Sequence, residues 1–465
     1  MEEASKYEQC SREELIQLIV DLKQIVSDQG QLIEALTKKS EGSKPPIRKD
    51  SSNSSIPTSK ELIQRTRSQR EKSGKKSGGQ AGHQGSHRER NREPDAIVRV
   101  QASQCQRCGA SLEEVEGSMG QVAQEVDLPP IKPWTTEYRQ IIKTCACGEC
   151  NTVALPIEGY VNIGPQMGAL ITYLNVEHAL PYERLSQICH DVLGFPISEG
   201  TIENKLSYMQ KQAKGIIERI KEQVMNADWM GSDETGAKVG GKRYWNWVWQ
   251  SPLASYFVMD KSRGYQVVKE HFTESYHGVI CHDCWSAQNK TPAGAHQLCH
   301  AHLLRNLQYA VDAERSAWAY RVQHLLRKSQ RAREAIWQDG VREPRREAVL
   351  RFYQKALDDL LNETLTHKEE RRLQKRLIKH RDWIFTFMAY PDVPADNNSS
   401  ERAIKAAKLK QKVSGGFRSV LGASRFAQLL SLTQTLRKQK LPVLTSLTAI
   451  FQGHQATVPF QFASG

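Results

Sequence analysis

The sequence predicts an α/β fold, a mixed sheet that carries a long helical insertion and follows several smaller modules. Two observations predict the sheet and its insertion. Between residues 227 and 300 the apolar residues alternate in short runs, as in strands, around one short helical stretch. Residues 301–390 are instead highly charged and have the hydrophobic spacing of helices. The modules before residue 227 are distinguished by their composition and are taken in order below.

The composition and net charge indicate which kind of molecule the protein binds. The chain has 465 residues, 39% of them hydrophobic, and a formal net charge of +13. This is enough apolar material for several domains with cores, and the charge favours a polyanion, nucleic acid before a membrane surface. No apolar run approaches the roughly 18–20 residues that span a bilayer, and the N-terminus has no pattern of a secretory signal. The ten cysteines are therefore expected to be reduced thiols or metal ligands in a cytoplasmic protein.

Residues 1–39 carry a heptad pattern. We expect a short coiled coil that pairs protomers, because the following segment is too polar to provide a core for an isolated helix. An amphipathic helix packed on its own domain is the alternative. The heptad positions are Leu15, Leu18, Leu22, Ile25, Gln29, Leu32 and Leu36.

Residues 40–95 are rich in Ser, Lys, Arg, Gly and Gln. Such a segment cannot bury enough apolar area to offset the entropy of ordering, so a disordered basic linker is predicted. Its cations, Lys75 and Lys76 among them, are expected to touch DNA phosphates without sequence preference.

Residues 96–160 contain two cysteine knuckles, which predict a zinc ribbon. Tetrahedral zinc takes four thiolates from two tight turns, and Gly109 and Gly148 supply the freedom for such turns. The second knuckle, CACGEC, offers three cysteines for two positions, and either the first two or the last two can pair. Free structural thiols are the alternative. The candidate ligands of structural Zn²⁺ are Cys105, Cys108, Cys145, Cys147 and Cys150.

Residues 161–226 have a helical pattern with helix-turn-helix character. The stretch YERLSQICHDVLGFPISEGTIENKLSYM predicts a helix, a turn at LGFPIS and a second helix capped by Ser198. In a DNA-binding helix-turn-helix the second helix enters a major groove. Many packed helical hairpins look the same.

The core is predicted from residues 227–300 and 391–440. Three strands, a short helix and a fourth strand, in that order, are typical of an RNase H-like sheet. Three Trp residues, Trp245, Trp247 and Trp249, share one face of the second strand by two-residue alternation. Asp233 leaves the first strand and Asp283 leaves the fourth. Residues 441–465 are assigned to a C-terminal tail.

Glu401 begins a helix that is otherwise crowded with cations. An acid suits the first turn of any helix, and Asn398 stands where it loosely resembles a cap. The sharper interpretation groups Glu401 with Asp233 and Asp283. Two-metal phosphoryl transfer needs hard cations about 3.5–4 Å apart, which carboxylate oxygens hold. The neighbouring cations would then grip DNA beside the scissile phosphate: Arg402, Lys405, Lys408 and Lys412.

Three other acids compete for a place in this site. Glu234 and Asp228 are predicted to face away from Asp233 by strand alternation, Glu234 less firmly because it lies near a strand end. Asp260 ends the third strand-like run and is not assigned to the site.

At these residues the sequence resembles a known family. The motifs SDETG, HDCWSA, CHAHLLRNL and DNNSSERAIKAAKLKQKVSGGFRS occur in the order found in IS66-family transposases of bacterial insertion sequences. The heptad, the GGQAGHQG linker, the CxxCG segment and the LPYERLSQICHDVLGFPISEGTI stretch are also similar, so the resemblance covers nearly the whole chain.

The resemblance implies a DDE transposase whose catalytic acids are Asp233, Asp283 and Glu401. It implies two Mg²⁺ ions, with Mn²⁺ as a substitute, and terminal inverted repeats and target DNA as partners. A bacterial, nucleoid-associated protein that is at least dimeric is expected, with small accessory proteins of the same element as further partners.

The family's Cys-x2-His motif maps to Cys299 and His302, with Arg305 one helical turn further on. These residues either orient the floor of the active site or contribute to a second zinc site. The other nearby candidates for such a site are Cys281, His282, Cys284, His296 and His300.

Two other functions fit part of the pattern. A dimeric, zinc-containing DNA-binding regulator would have the same modules without using the acids. A divalent-metal nuclease would cut DNA but would not join it.

Overall fold

The computed structural model describes residues 28, 82, 89–129, 131–157, 159, 161–272, 275–337 and 342–462. The predicted coiled coil falls outside the described residues apart from Asp28, and most of the predicted linker, with Lys75 and Lys76, lies outside them as well. In the cysteine-rich segment two short strands, β1 (Lys143–Thr144) and β2 (Cys150–Asn151), pair antiparallel.

Four helices precede the sheet: α1 (Pro165–Val176), α2 (Tyr182–Leu193), α3 (Glu199–Gln212) and α4 (Lys214–Met225). The predicted helix-turn-helix pair corresponds to α2 and α3. Helix α2 ends at Gly194, whose left-handed φ of 60° a residue without Cβ adopts at little cost. The side chain of Ser198 accepts a hydrogen bond from the amide of Thr201, which confirms the predicted cap of α3.

The main sheet has five strands in the order β5-β4-β3-β6-β7. Strands β3, β4 and β5 are joined antiparallel, whereas β6 and β7 run parallel to β3. The strands are β3 (Trp229–Val239), β4 (Lys242–Gln250), β5 (Ser255–Asp260), β6 (Tyr276–His282) and β7 (Ala293–Leu298). This order and polarity fit the predicted RNase H-like core.

Short helices connect the later strands and longer ones follow them. Helix α5 (Tyr265–His271) precedes β6, and α6 (Ser286–Asn289) precedes β7. The region predicted as a helical insertion forms α7 (His300–Glu314), α8 (Ala317–Ile336), α9 (Glu343–Leu361), α10 (Lys368–Lys379) and α11 (Thr386–Ala389). The chain then returns to the sheet with α12 (Asn398–Ser414), α13 (Val420–Lys438) and α14 (Val443–Phe451).

Two hydrophobic cores hold these layers together. One joins the sheet to helices α1–α4 and α12–α14, and the other joins the β6–β7 side to the insertion helices. Trp247 and Trp249 are fully buried, with ring centroids 5.6 Å apart, because helices cover both faces of the sheet. Segment 441–465, predicted as a tail, contains α14, whose Phe451 and Leu447 are buried in the first core.

The edge strand β5 is covered by a helix. The backbone N–H of Phe257 donates to the hydroxyl of Ser431 at 2.8 Å, and that of Ser255 donates to the hydroxyl of Thr435 at 3.1 Å. Both hydroxyls project from α13, which therefore satisfies donors that an exposed edge would offer to other strands. No helix in the described residues is both long enough and apolar enough to cross a bilayer.

Candidate active site

Asp233 and Asp283 occupy equivalent positions on neighbouring parallel strands. Gly231 of β3 pairs with Cys281 of β6, and each aspartate lies two residues further along its own strand direction. Side chains two residues apart share a face of a sheet, so Asp233, inside β3, and Asp283, directly after β6, both lie on the face of Gly231. The predicted pairing of a first-strand acid with a fourth-strand acid is therefore present in the fold.

Burial disfavours the charged forms of both carboxyl groups. Burial, followed by repulsion from Asp283 and Glu234, raises the pKa of Asp233 well above its ordinary value, and Lys408 opposes this rise. Burial also raises the pKa of Asp283, and the charge of Arg263 opposes this rise. Oδ1 of Asp283 is buried with no hydrogen-bond partner among the described residues. An orphaned buried oxygen beside a second acid is what a hard cation would stabilise.

The start of α12 lies against the same face of β3. The side-chain amide of Asn397 donates to the backbone carbonyl of Ser232 at 2.7 Å. A Cβ at Gly231 would lie 2.3 Å from Oγ of Ser400, so this glycine permits the close approach of the helix. The helix that carries Glu401 is thus fixed beside Asp233.

The expected capping role of Asn398 is wrong. Asn398 is the first residue of α12, and its N–H donates to Oδ1 of Asp396 at 3.0 Å. Asn397 stands at the cap position, but its side chain makes no cap hydrogen bond because it binds the backbone of β3 instead. The local sequence does not show that this side chain is used across the sheet.

Glu401 is held by residues of α7. Its Oε1 accepts a hydrogen bond from the guanidinium of Arg305 at 2.9 Å and lies 3.6 Å from Nε2 of His302. Burial lowers the pKa of His302 to about 4, so this imidazole is neutral at pH 7 and Arg305 is the charged partner. The contacts give the predicted motif residues His302 and Arg305 a place next to the third acid.

The structure does not form a three-carboxylate cluster. In the parts of the chain that are described, no three His, Cys, Asp or Glu side chains are grouped so that they could hold a metal ion. Asp233 and Asp283 form the pair described above, while the Glu401 carboxylate is bound by Arg305. Two of the three predicted ligands therefore lie on one face of the sheet, and the third lies on the adjoining helix.

The same finding applies to both zinc predictions. The thiols of Cys105 and Cys108 interact with each other, as do those of Cys145 and Cys147. In the described residues, however, the cysteines of the two knuckles do not form one group that could hold a metal ion. The predicted zinc ribbon thus rests on cysteine spacing, and the assignment of Cys150 stays open.

The alternative second zinc site is not formed either. The Sγ of Cys299 accepts a hydrogen bond from the amide of Asn397 at 3.2 Å, and His300 Nε2 lies 2.8 Å from the carbonyl of Ile384. Cys281 is buried in the hydrophobic core of the insertion side. Cys299 therefore tethers the segment that leads into α12, and a role in orienting the floor of the active site stays a prediction.

The turn after Asp283 is held by two histidines. Cys284 has a φ of +71°, a left-handed conformation that is costly for a residue with a Cβ. Its amide donates to Nδ1 of His282 at 3.1 Å, and Nε2 of His282 lies 3.0 Å from Nδ1 of His296. This buried histidine pair fixes the direction in which the chain leaves β6 and with it the place of Asp283.

Glu234 occupies the opposite face of β3, as alternation predicts. Its Oε1 accepts from Arg263 at 2.8 and 2.6 Å, and its Oε2 accepts from the amide of Gln288 at 2.8 Å. Burial, then repulsion from Asp283, raises the pKa of Glu234 to about 7. Arg263 lies between the rings of Trp245 and Trp285, at 4.6 and 3.5 Å from their centroids.

Arg263 and Gln288 are site residues that the sequence did not indicate. Arg376 of α10 is a third, since its charge acts on both Asp283 and His302. Isolated arginines and a glutamine in separate elements form no motif, so sequence spacing contains no signal for them.

Only three of the four cations of α12 that are predicted to contact DNA lie on the side of the helix that carries Glu401. Lys405, Lys408 and Lys412 follow Glu401 at helical spacing and lie on the same side of α12, where the charge of Lys408 acts on Asp233. Arg402 lies about a quarter turn away, on the side where its charge acts on the buried Lys438.

The predicted helix-turn-helix pair packs into the hydrophobic core that contains the main sheet. Ile202, Leu206 and Met209 of α3 belong to the core that contains the sheet. Glu203, one turn into α3, pairs with Arg425 of α13 at 2.6 Å. These contacts concern packing within the protein and do not test whether α3 binds DNA, which stays a prediction.

Comparison with known proteins identifies the family of the chain. The model of the Transposase IS66 family matches residues 161–425, which include α1–α12 and all five strands of the main sheet. A search of curated proteins finds no match. The match extends over more than half of the chain and contains Asp233, Asp283 and Glu401. The chain belongs to the IS66 family of transposases.

Proposed function

We propose that the chain is a DDE-type transposase that cuts the ends of an insertion sequence and joins them to target DNA. In this reaction water displaces the 3′ oxygen of a phosphodiester, which releases a 3′-hydroxyl and leaves a 5′-phosphate. That hydroxyl then attacks a phosphodiester of the target in a second in-line displacement, which joins it to the target's 5′ phosphate and releases a 3′-hydroxyl of the target strand. The observation that supports the proposal best is the shared face of Asp233, Asp283 and the start of α12.

Asp233 and Asp283 would hold a divalent ion, Mg²⁺ or Mn²⁺, between them. The fit rests on the burial of both carboxyl groups and on the orphaned Oδ1 of Asp283. Glu401 would join a second ion once its bond to Arg305 is exchanged or shared. Bound ions would activate the attacking oxygen and stabilise the leaving one.

The residues of the chain itself would position the substrate. Lys405 and Lys408, on the side of α12 that carries Glu401, would bind phosphates beside the scissile bond. Arg305, released from Glu401, would be available for a phosphate oxygen, for which its planar guanidinium is suited. Most of the rate enhancement would then come from orientation and charge neutralisation.

Several partners belong to the same proposal. The terminal inverted repeats and target DNA are the substrates, and a two-ended substrate calls for at least two protomers. The cysteine knuckles would hold structural Zn²⁺, and α3 and the basic linker would add contacts to the repeats. Small accessory proteins of the same element would complete the assembly.

The experiment supplies a pre-cleaved element end with a free 3′-hydroxyl, together with plasmid target and Mg²⁺. A transposase converts this end into a joined product, and Asp233→Asn should abolish joining while DNA affinity is retained. A nuclease without strand transfer would cut an intact end but leave the pre-cleaved one unjoined. A non-catalytic DNA-binding regulator would bind equally well with or without the substitution and convert neither substrate.

A further inference from the structure

A second basic surface lies at the far end of the two elements that carry Asp233 and Glu401. It consists of the tip of the β3–β4 hairpin, residues 238–243, and the loop between α12 and α13, residues 415–419; we call it the basic ledge. The proposed chemistry makes no use of it. Part of it, the GGFRS sequence, belongs to the motifs that the sequence resemblance rests on.

The two halves of the basic ledge are joined by backbone hydrogen bonds. The N–H of Phe417 donates to the carbonyl of Lys238 at 2.8 Å, and the N–H of Gly240 donates to the carbonyl of Phe417 at 2.8 Å. The N–H of Lys238 also donates to the side chain of Gln411 in α12 at 3.0 Å. These hydrogen bonds fix the backbone of the hairpin tip relative to the loop and to α12.

Glycine makes this junction possible. Gly416 has a φ of +139°, and a Cβ there would lie 2.7 Å from the carbonyl oxygen of Lys238. At the hairpin tip Gly240 and Gly241 both have positive φ, which a two-residue turn between twisted strands requires.

The two segments of the basic ledge contain cationic residues and no acidic residues. No Asp or Glu occurs between Glu234 and Asp260, and Glu401 is the last acidic residue of the chain. Arg418 is 95% exposed and reaches a carboxylate oxygen of Glu199 at 3.7 Å, a long distance for an ion pair at the surface. The exposed cations of the ledge are Lys238, Lys242, Arg243 and Arg418.

The position of the ledge relates it to the active site. From Glu401 to Gly415 the helix α12 rises about 20 Å, at about 1.5 Å per residue. Successive base pairs of duplex DNA are about 3.4 Å apart, so this distance corresponds to about six base pairs. Lys405, Lys408 and Lys412 lie between the two ends, on the side of α12 that carries Glu401.

We propose that the basic ledge binds the phosphate backbone of duplex DNA about six base pairs from the bond that is cut. This rests on the proposed function, because it extends the track of the same DNA beyond the active site. The regularly spaced charges of a polyanion complement a group of exposed cations on a hydrogen-bonded backbone, whereas a protein partner would need acidic side chains at matching places.

The test measures the affinity of the full chain for the terminal repeat that flanks its gene, by fluorescence anisotropy over a range of KCl concentrations. The doubly substituted protein Lys242→Ala/Arg418→Ala should bind more weakly. The slope of log K against log salt should become shallower by about 0.9 for each lost phosphate contact. The matched control is Lys355→Ala/Lys375→Ala, which removes two exposed cations from α9 and α10.

Duplex length provides the second arm of the test. The deficit of the ledge variant should be present with about twelve base pairs beside the cleavage position and absent with about three. An unchanged slope, or a deficit independent of length, overturns the proposal. A change in self-association without a change in DNA affinity, seen by sedimentation, also overturns it and assigns the ledge to contacts between copies.

These outcomes are separate from those for the catalytic proposal. If Asp233→Asn abolishes joining while the ledge variant binds DNA like the wild type, only the ledge assignment fails. If the ledge variant shows the expected deficit while Asp233→Asn still joins DNA, the ledge stands and the catalytic assignment fails.

Discussion

Arg305 of α7 donates a 2.9 Å hydrogen bond to the carboxylate of Glu401 at the start of α12. The two residues are 96 positions apart in the chain, and their contact joins the insertion to the helix that carries the third predicted acid. Both side chains are partly buried, with 23% and 32% of their surfaces exposed. The guanidinium therefore competes for the carboxylate that a metal ion would need.

Removing Arg305 is expected to increase the apparent affinity for Mg²⁺. A partly exposed ion pair contributes on the order of 1 kcal/mol, so Arg305→Ala should lower the half-saturating Mg²⁺ concentration for end cleavage by roughly 3- to 10-fold. Titration of Mg²⁺ in the cleavage assay measures this, and Arg305→Lys, which keeps a positive charge, is the control. A higher Mg²⁺ requirement in Arg305→Ala would mean that Arg305 orients Glu401 for the metal and does not compete with it.

The close contact between β3 and α12 gives a prediction with a matched control. A Cβ at Gly231 would lie 2.3 Å from Ser400 Oγ and 2.6 Å from Asn397 Oδ1, whereas one at Gly236 of the same strand would meet nothing within 4 Å. Overpacking typically costs about 1–3 kcal/mol, so Gly231→Ala should destabilise the protein by that amount and reduce joining as α12 shifts. Gly236→Ala should leave both unchanged. Urea denaturation and the joining assay provide the measurements, and equal behaviour of the two variants would contradict the assigned contact.

The raised pKa of Glu234 leads us to expect that the stability of the metal-free protein depends on pH. Its pKa rises from 4.5 to about 7 on folding, because burial and Asp283 disfavour the charged form. Between these values the folded state binds more protons than the unfolded state, so this group's contribution to stability falls as the pH rises from about 4.5 to about 7. Glu234→Gln should remove that fall, which is about 3 kcal/mol.

The isosteric change is compatible with the surroundings of Glu234. Gln288 Oε1 is buried without a partner among the described residues, so its amide can turn to accept from the new side chain. Urea denaturation in EDTA at several pH values compares the two proteins. Parallel pH profiles for wild type and Glu234→Gln would show that the raised pKa is absent.

A buried lysine supports the start of α12 through an intermediate glutamine. Lys438 donates to Oε1 of Gln250 and to the carbonyls of Ser251 and Ala254, the latter at 3.0 Å. Burial lowers its pKa to about 7. The amide of Gln250 donates in turn to the hydroxyls of Ser399 and Ser400, at 2.6 and 3.3 Å.

Gln250→Ala is therefore expected to slow end cleavage by about 10-fold, equivalent to about 1.4 kcal/mol, without changing DNA affinity. The reason is that α12 loses a fixed contact just before Glu401. The control is Gln439→Ala, because Gln439 binds the carbonyl of Leu253 in the same β4–β5 connection but not α12. If both variants lost equal amounts of activity, the effect would belong to the connection as a whole. Cleavage rates and anisotropy with the same duplex separate the two cases.

The sequence predicted the sheet well where strands alternate or are bounded by turns. Strands β3 to β6 and helix α5 lie where the hydrophobic pattern placed them, and Asp283 directly follows β6 as predicted. The prediction that Asp233 leaves the first strand is wrong, because β3 continues to Val239 and pairs with β4 past this residue. Strand β7 was not predicted. Its buried side chains include His296 and Gln297, and Gln297 is satisfied by hydrogen bonds to the carbonyls of Leu298 and Ile384, so the strand has no apolar alternation.

The side chains that bind Glu234 and Glu401 could not be predicted from sequence patterns. Arg263 binds Glu234 across 29 residues, Gln288 binds it across 54, and Arg305 binds Glu401 across 96. Such contacts depend on how the sheet, the insertion and α12 meet, and no local periodicity encodes that. The motif around Cys299 and His302 pointed to the correct neighbourhood but not to the hydrogen bond between Cys299 and the amide of Asn397.

The number of Mn²⁺ ions bound by the protein–DNA complex tests the role of the three acids most directly. Electron paramagnetic resonance of free Mn²⁺, titrated into the full chain with its terminal repeat, gives this number. Two ions per protomer are expected for the wild type, with about one or fewer for Asp233→Asn and for Glu401→Gln. Two ions in Glu401→Gln, or none in the wild type, would contradict a metal site formed by Asp233, Asp283 and Glu401.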